Sequence, residues 1–90
     1  MPSDTSSPDS LDDLPKVWKR LAYCESRYQL RAVSVSGDHY GLWQIHKGFY
    51  KALNIDPKKA TFNEQWKAAK YVYARQGAKA WSCAKRVGLK

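Results

Sequence analysis

Residues 15–27, PKVWKRLAYCESR, decide how the rest of the chain is read. Val17, Leu21 and Cys24 recur at i, i+4 and i+7, and Trp18, Ala22 and Glu25 follow one position round. That spacing gathers side chains on one side of an α-helix. Pro15 suits the first helical turn, where a missing N–H costs nothing, and Asp12 and Asp13 suit a helix N-terminus. The pattern predicts a first helix over about 15–27, with Glu25 at the edge of its apolar face in the last turn. A carboxyl group beside Trp18, Leu21 and Ala22 loses hydration, which disfavours its charged form and raises its pKa. An acid still protonated near neutral pH is what glycosidic-bond cleavage requires, because the departing oxygen must receive a proton. The plainer alternative is a helix-end glutamate paired with Arg27, Arg31 or Lys70.

Working outward, residues 34–41 (SVSGDHYG) are turn-rich, with Ser36-Gly37-Asp38 a reverse turn and Gly41 a second flexible point. Residues 42–45 (LWQI) read either as a strand or as the entry to a short helix ending near Leu53, and 54–60 read as a loop. Thr61-Phe62-Asn63-Glu64 matches a capping box, which predicts a long helix from about Phe62 to Gln76, stopped by Gly77. Phe62, Trp66, Ala69 and Tyr73 are its expected buried stripe, and a short last helix is expected over about 79–87. No segment repeats. The chain reads as mainly α, with little or no β-sheet.

The first thirteen residues, MPSDTSSPDSLDD, are nearly devoid of apolar side chains and read as a flexible acidic tail or linker, leaving 14–90 as one domain. A chain of 90 residues buries only about 60–65% of its unfolded surface, so its core is thin. All sixteen Lys and Arg fall after residue 15, against four acids in 14–90 (Glu25, Asp38, Asp56 and Glu64), a net charge of +12 for that stretch. Such a field favours a polyanionic partner: nucleic acid, an anionic lipid surface or an acidic cell wall. No apolar run approaches the roughly 20 residues that span a bilayer, so membrane insertion is not expected. No basic-then-apolar stretch opens the chain either, so no signal peptide is expected within it. Cys24 and Cys83 are the only cysteines. In the cytosol such a pair reads as buried thiols; in a thin-cored domain outside the cell it reads as one staple, worth about 4 kcal/mol for a loop of this length. Neither a CxxC nor a Cys/His cluster at ligand spacing occurs, so no metal and no cofactor is expected.

Glu25-Ser26, then Ala32-Val33-Ser34, then Gly41-Leu42-Trp43-Gln44-Ile45 resemble the Glu-Ser … Ala-Val-Ser … Gly-Leu-Met-Gln-Ile pattern of soluble lytic transglycosylases, peptidoglycan-cleaving enzymes of lysozyme-like fold. Residues 71–77 (YVYARQG) resemble that family's later helix. Val17-Trp18 through Cys24-Glu25-Ser26, with Ala80-Trp81-Ser82-Cys83, are closer to actinobacterial resuscitation-promoting factors. The resemblance spans about 15–87. It implies a disulfide joining the first and last helices through Cys24 and Cys83, and makes Glu25 the catalytic acid and base. It makes Ser34 a sugar-contacting serine, Gln44 a groove residue, and Tyr73 a groove aromatic or a core residue. Trp43 stands where the transglycosylase motif has Met, and the family's late Ala-Tyr-Asn-Ala-Gly stretch is missing.

The implied activity is cleavage of the MurNAc–GlcNAc bond of peptidoglycan strands, by a monomer acting outside the cytoplasm, secreted or carried on a virion. The alternative is a muramidase-type hydrolase that uses Glu25 with Asp38 as second carboxylate or with a bound water; the plain reading of Asp38 is a turn-forming aspartate. Without it, one carboxylate does both jobs and the product is a 1,6-anhydro sugar. Tyr28, Tyr40, Trp43 and Tyr50 are candidate sugar-stacking rings, and Arg27, Arg31, Lys47 and Lys51 candidate contacts for stem carboxylates. His39 and His46 lie near the expected groove. The competing readings are a glycan- or polyanion-binding module without catalysis, and a nucleic-acid binder. The basic residues are spread over every helix rather than along one, which argues against the latter.

Overall fold

The computed structural model describes residues 11–90. Most of the expected tail therefore lies outside the described residues; its last part, Leu11–Asp13, forms a 3-10 turn, and Asp12 pairs with Lys19 at 2.8 Å. Pro15 turns out to be the N-cap rather than the first helical residue: its carbonyl accepts from Trp18 and Lys19, and helix α1 runs Lys16–Ser26. The helix buries Trp18, Leu21, Ala22 and Ser26, and ends on Arg27 and Tyr28, both left-handed at φ 57 and 65. Two successive non-glycine residues there cost about 1–2 kcal/mol each, and they turn the chain sharply away from Glu25.

The short segments after α1 form a hairpin. Strand β1 (His39–Tyr40) pairs antiparallel with β2 (Ile45–His46), with His39 opposite His46 and Tyr40 opposite Ile45. The connecting turn needs Gly41: its φ is +86, and a Cβ there would sit 2.5 Å from Gln65 Oε1. Helix α2 (Lys47–Ala52) follows at once, capped by His46, whose Nδ1 accepts from the Gly48 N–H. Residues 42–53 thus contain both the strand and the helix that the sequence left open.

Helix α3 (Phe62–Gln76) carries the full capping box, Thr61 and Glu64 bonding reciprocally, and stops at Gly77. Its buried face is centred on Gln65, Trp66, Ala68, Ala69 and Val72, with Phe62 and Tyr73 at the margins. Trp66 and Ala69 of the expected stripe are buried, and Gln65, Ala68 and Val72 widen the face. Gln65 is fully buried and satisfied: Oε1 accepts from the Leu42 N–H, and Nε2 donates to the Leu30 and Ala60 carbonyls. It fastens three loops at once.

The core is aromatic. Trp18 meets Trp43, Trp66, Tyr73 and Trp81 edge-on at centroid distances of 6.4, 5.3, 5.4 and 5.3 Å, the geometry that sets ring edges against ring faces. The indole N–H of Trp43 donates to the Trp18 carbonyl and that of Trp81 to the Trp43 carbonyl. This relay ties α1, the hairpin turn and the C-terminal segment together. The expected last helix is split by it. A 3-10 turn over Ala78–Ala80 and helix α4 (Ala84–Val87) flank an extended Trp81, which turns its indole inward. Cys24 and Cys83 are bonded, joining α1 to the start of α4. The fold is mainly helical with a two-stranded sheet, and no described helix is long and apolar enough to cross a membrane.

Candidate active site

Glu25 stands one residue before the end of α1, where helix carbonyls are unpaired and a negative charge is least welcome. Its carboxylate is half-buried and opens on a cleft of about 360 Å³. The opposite walls come from the hairpin region, through Ser34, His39 and Gln44, and from the C-terminal segment, through Ala80, Trp81 and Ser82. Burial pushes the Glu25 carboxyl above its ordinary pKa, opposed by the Cys83 N–H, which donates to it at 3.3 Å, and by the His39 charge. None of the cations that a structural glutamate would pair with is available. Arg27 lies over the Tyr23 ring, Arg31 donates to the Ala60 carbonyl, and Lys70 lies over Trp66. The carboxyl is therefore desolvated without being neutralised, which favours the protonated acid.

The cleft residues are held from behind. Gln44 has φ 49, a left-handed conformation, and its Nε2 donates to the Ala32 and Gly41 carbonyls. Ser34 Oγ accepts from the His39 N–H while the Ser34 N–H donates to the His39 carbonyl. Strain concentrated at such a position is common where a side chain must face a ligand.

The structure brings together Glu25, Ser34, His39 and Gln44 around one cleft, whose lining does not include Asp38, Tyr40, Trp43 or Tyr73. Asp38 does not line the cleft; it pairs with Lys47 at 3.2 Å, whose hydrogen bond and charge hold its carboxyl below the usual range. Glu64 is used in the α3 cap, and Asp56 accepts from the Lys58 N–H in a turn. Glu25 is thus the one carboxylate lining the cleft among the described residues. Three candidate sugar-stacking rings, Trp43, Tyr40 and Tyr50, are corrected, and Tyr73 takes the core reading left open for it. Trp43 is 0% exposed and Tyr40 9%, so neither offers a ring face, and the Met-to-Trp departure is absorbed by the core. Tyr73 packs on Trp18 and donates its hydroxyl to the Lys90 carbonyl, outside the cleft. Tyr50 is also buried. Trp81 and Ser82 were read only as part of a resemblance, yet they wall the cleft; no periodicity marks them, because a covalent link and a single buried indole place that segment.

From His39, Gln44, Ala80 and Trp81 the cleft continues into a smaller hollow that adds Ile45, His46, Phe49, Val72 and Gln76. The result is a trough rather than a closed pocket. A larger depression of about 580 Å³, beside α2 and the 54–57 loop, contains Asp56 but not Glu25. Size does not mark the chemistry here; the desolvated carboxyl does.

Among the curated proteins compared with the chain, none matches. A family model described as Transglycosylase-like domain matches residues 13–84, which takes in Glu25, the hairpin, α3 and the disulfide. A glycan-cleaving domain directed at peptidoglycan agrees with the cleft and with a disulfide-stapled fold suited to the cell exterior, and the chain belongs to the Transglycosylase-like domain family.

Proposed function

We propose that this domain is a lytic transglycosylase that cleaves the MurNAc–GlcNAc β-1,4 bond with Glu25 as its only acid and base. The observation that carries the reading is the cleft's single carboxylate among the described residues, half-buried and in no ion pair. In the first step protonated Glu25 gives its proton to the glycosidic oxygen, and the bond from that oxygen to the MurNAc C1 breaks. The positive charge on C1 is met by the substrate's own N-acetyl oxygen. Glu25, now a carboxylate, takes the proton from the MurNAc 6-hydroxyl as O6 bonds to C1. The product is a 1,6-anhydro ring, Glu25 is protonated again, and no water is consumed. Ser34 and Gln44, fixed at the cleft wall, bind the sugar flanking this centre, and the trough beyond Gln44 takes the strand.

Hydrolysis would need a base that holds water opposite Glu25, and the tethering of Asp38 to Lys47 speaks against that role. Mass spectrometry of soluble fragments from purified peptidoglycan tests the proposal, with Glu25→Gln in parallel. Anhydro-muramic ends from the wild type alone are expected. Reducing ends, about 18 Da heavier, would replace this reading by hydrolysis. No fragments from either protein would leave a glycan-binding module.

A further inference from the structure

A second hollow, of about 300 Å³, lies between α1 and α4 and shares no lining residue with the Glu25 cleft. Arg20, Tyr23, Cys24 and Arg27 line it from α1 and its cap, and Arg86 and Val87 from α4. The disulfide stands between the two sites: Cys24 lines this hollow, while the Cys83 N–H bonds Glu25. Three arginines thus line one small space with no carboxylate in its lining. Like charges gathered around one space repel, and of the three only Arg27 has an offsetting contact among the described residues, with Tyr23. Some cations elsewhere are engaged: Lys19 and Lys47 with carboxylates, Arg31 with a carbonyl, Lys70 and Arg75 over aromatic rings. Among the described residues Arg20 and Arg86 form no ion pair.

The remaining walls suit a ligand that is not a bare ion. Tyr23 is 46% exposed, and Arg27 is held over its ring at 5.1 Å and bonded to its hydroxyl at 3.3 Å. That contact orients one guanidinium in advance, while Val87 and Cys24 give an apolar floor. Guanidinium forks match phosphate oxygens in pairs, with the ion desolvated less expensively than for lysine. We propose that this hollow is a binding subsite for a phosphodiester-linked polyol, an acidic polymer that accompanies peptidoglycan. Arg20 and Arg86 grip the phosphate oxygens and the polyol carbons lie on Tyr23 and Val87. A stem-peptide carboxylate fits less well, because it is tethered to the strand in the other cleft. The wall as the polymer's source rests on the function proposed above; the arginine geometry does not.

Calorimetric titration with polyglycerol phosphate tests this without any turnover, so it can fail while Glu25→Gln still abolishes cleavage, and the reverse. Arg20→Gln and Arg86→Gln are each expected to weaken binding about tenfold, the scale of one charge-assisted hydrogen bond. Lys59→Gln and Lys67→Gln, which remove the same charge away from the hollow, are expected to change it less than about twofold at moderate salt. Arg20→Lys, which keeps the charge and loses the fork, is expected to recover only part of the affinity. Equal losses from arginine and lysine variants would overturn the site in favour of diffuse charge. Duplex DNA or a phosphate-free muropeptide bound as tightly, with the same arginine dependence, would overturn the polyol phosphate as occupant. Unchanged melting temperatures of the variants show that folding is not what is being read.

Discussion

Replacing Cys24 and Cys83 together by alanine probes both the hold on the C-terminal segment and the acid beside it. The bond spans 59 residues, for which chain entropy gives about 4 kcal/mol at 25 °C. A domain of this size has a total stability of roughly 5–10 kcal/mol, so the loss is a large fraction of the whole. Against it stand the non-covalent anchors of the same segment: Trp81, 5% exposed and bonded to the Trp43 carbonyl, with Ala84 and Leu89 also buried. Burying such side chains contributes about 2–3 kcal/mol for the largest, enough to keep the segment docked at room temperature. The expected result is a folded variant whose melting temperature, followed by circular dichroism, falls by roughly 15–30 °C. The acid responds separately. The Cys83 N–H is the leading influence that holds the Glu25 pKa down against burial. Loosening that residue weakens the bond, so the Glu25 pKa rises further and the alkaline limb of activity moves to higher pH. A melting temperature lowered by less than about 5 °C would refute the loop-entropy argument. An alkaline limb moved to lower pH would refute the role given to the Cys83 N–H.

Glu25→Gln is expected to lower cleavage by at least about 100-fold, the usual worth of a positioned acid and base, measured by release of soluble muropeptides. The same change raises the melting temperature at pH 7. Burial lifts the folded-state pKa above the ordinary 4.5, so the wild type binds its proton more tightly when folded and loses stability as pH rises through that window. The amide escapes this loss, and a variant less stable than wild type at pH 7 but not at pH 4 would contradict it. Asp38→Asn breaks an exposed pair with Lys47, so stability is expected to change little and activity stays nearly unchanged; a loss as large as that of Glu25→Gln would restore the hydrolytic mechanism. Gly41→Ala places a Cβ 2.5 Å from Gln65 Oε1 at φ +86 and is expected to cost about 2–4 kcal/mol in urea denaturation. A cost under about 1 kcal/mol would mean that Gln65 moves aside freely.

The two long helices were legible because what defines them is local. The 3.6-residue spacing of Trp18, Leu21 and Ala22 and the Thr61–Glu64 box state their own geometry within a few turns. Segments whose shape depends on distant partners were not legible. Residues 42–46 became a turn and a strand because the Leu42 N–H found Gln65, 23 residues away, and Tyr40 found Ile45 across the turn. The interruption at Trp81 likewise follows from an indole reaching a carbonyl 38 positions earlier.

For the site, the sequence by itself placed Glu25 at the end of an apolar helix face, the source of its raised pKa; its choice as the candidate acid over a paired helix-end glutamate came from resemblance to a known pattern. It also placed Ser34 and Gln44 near that acid through resemblance to a known pattern. Only the tertiary structure decided which other groups reach it. Whether an aromatic ring faces a ligand or the core depends on rotation about a strand or turn a few residues long, too short for periodicity to record; so Trp43 and Tyr40 went inward. That Glu25 forms no ion pair was decided in the same way. Arg27, Arg31 and Lys70 were its plain partners on the sequence and Asp38 the contender for second carboxylate, and each has another partner that only the folded chain supplies.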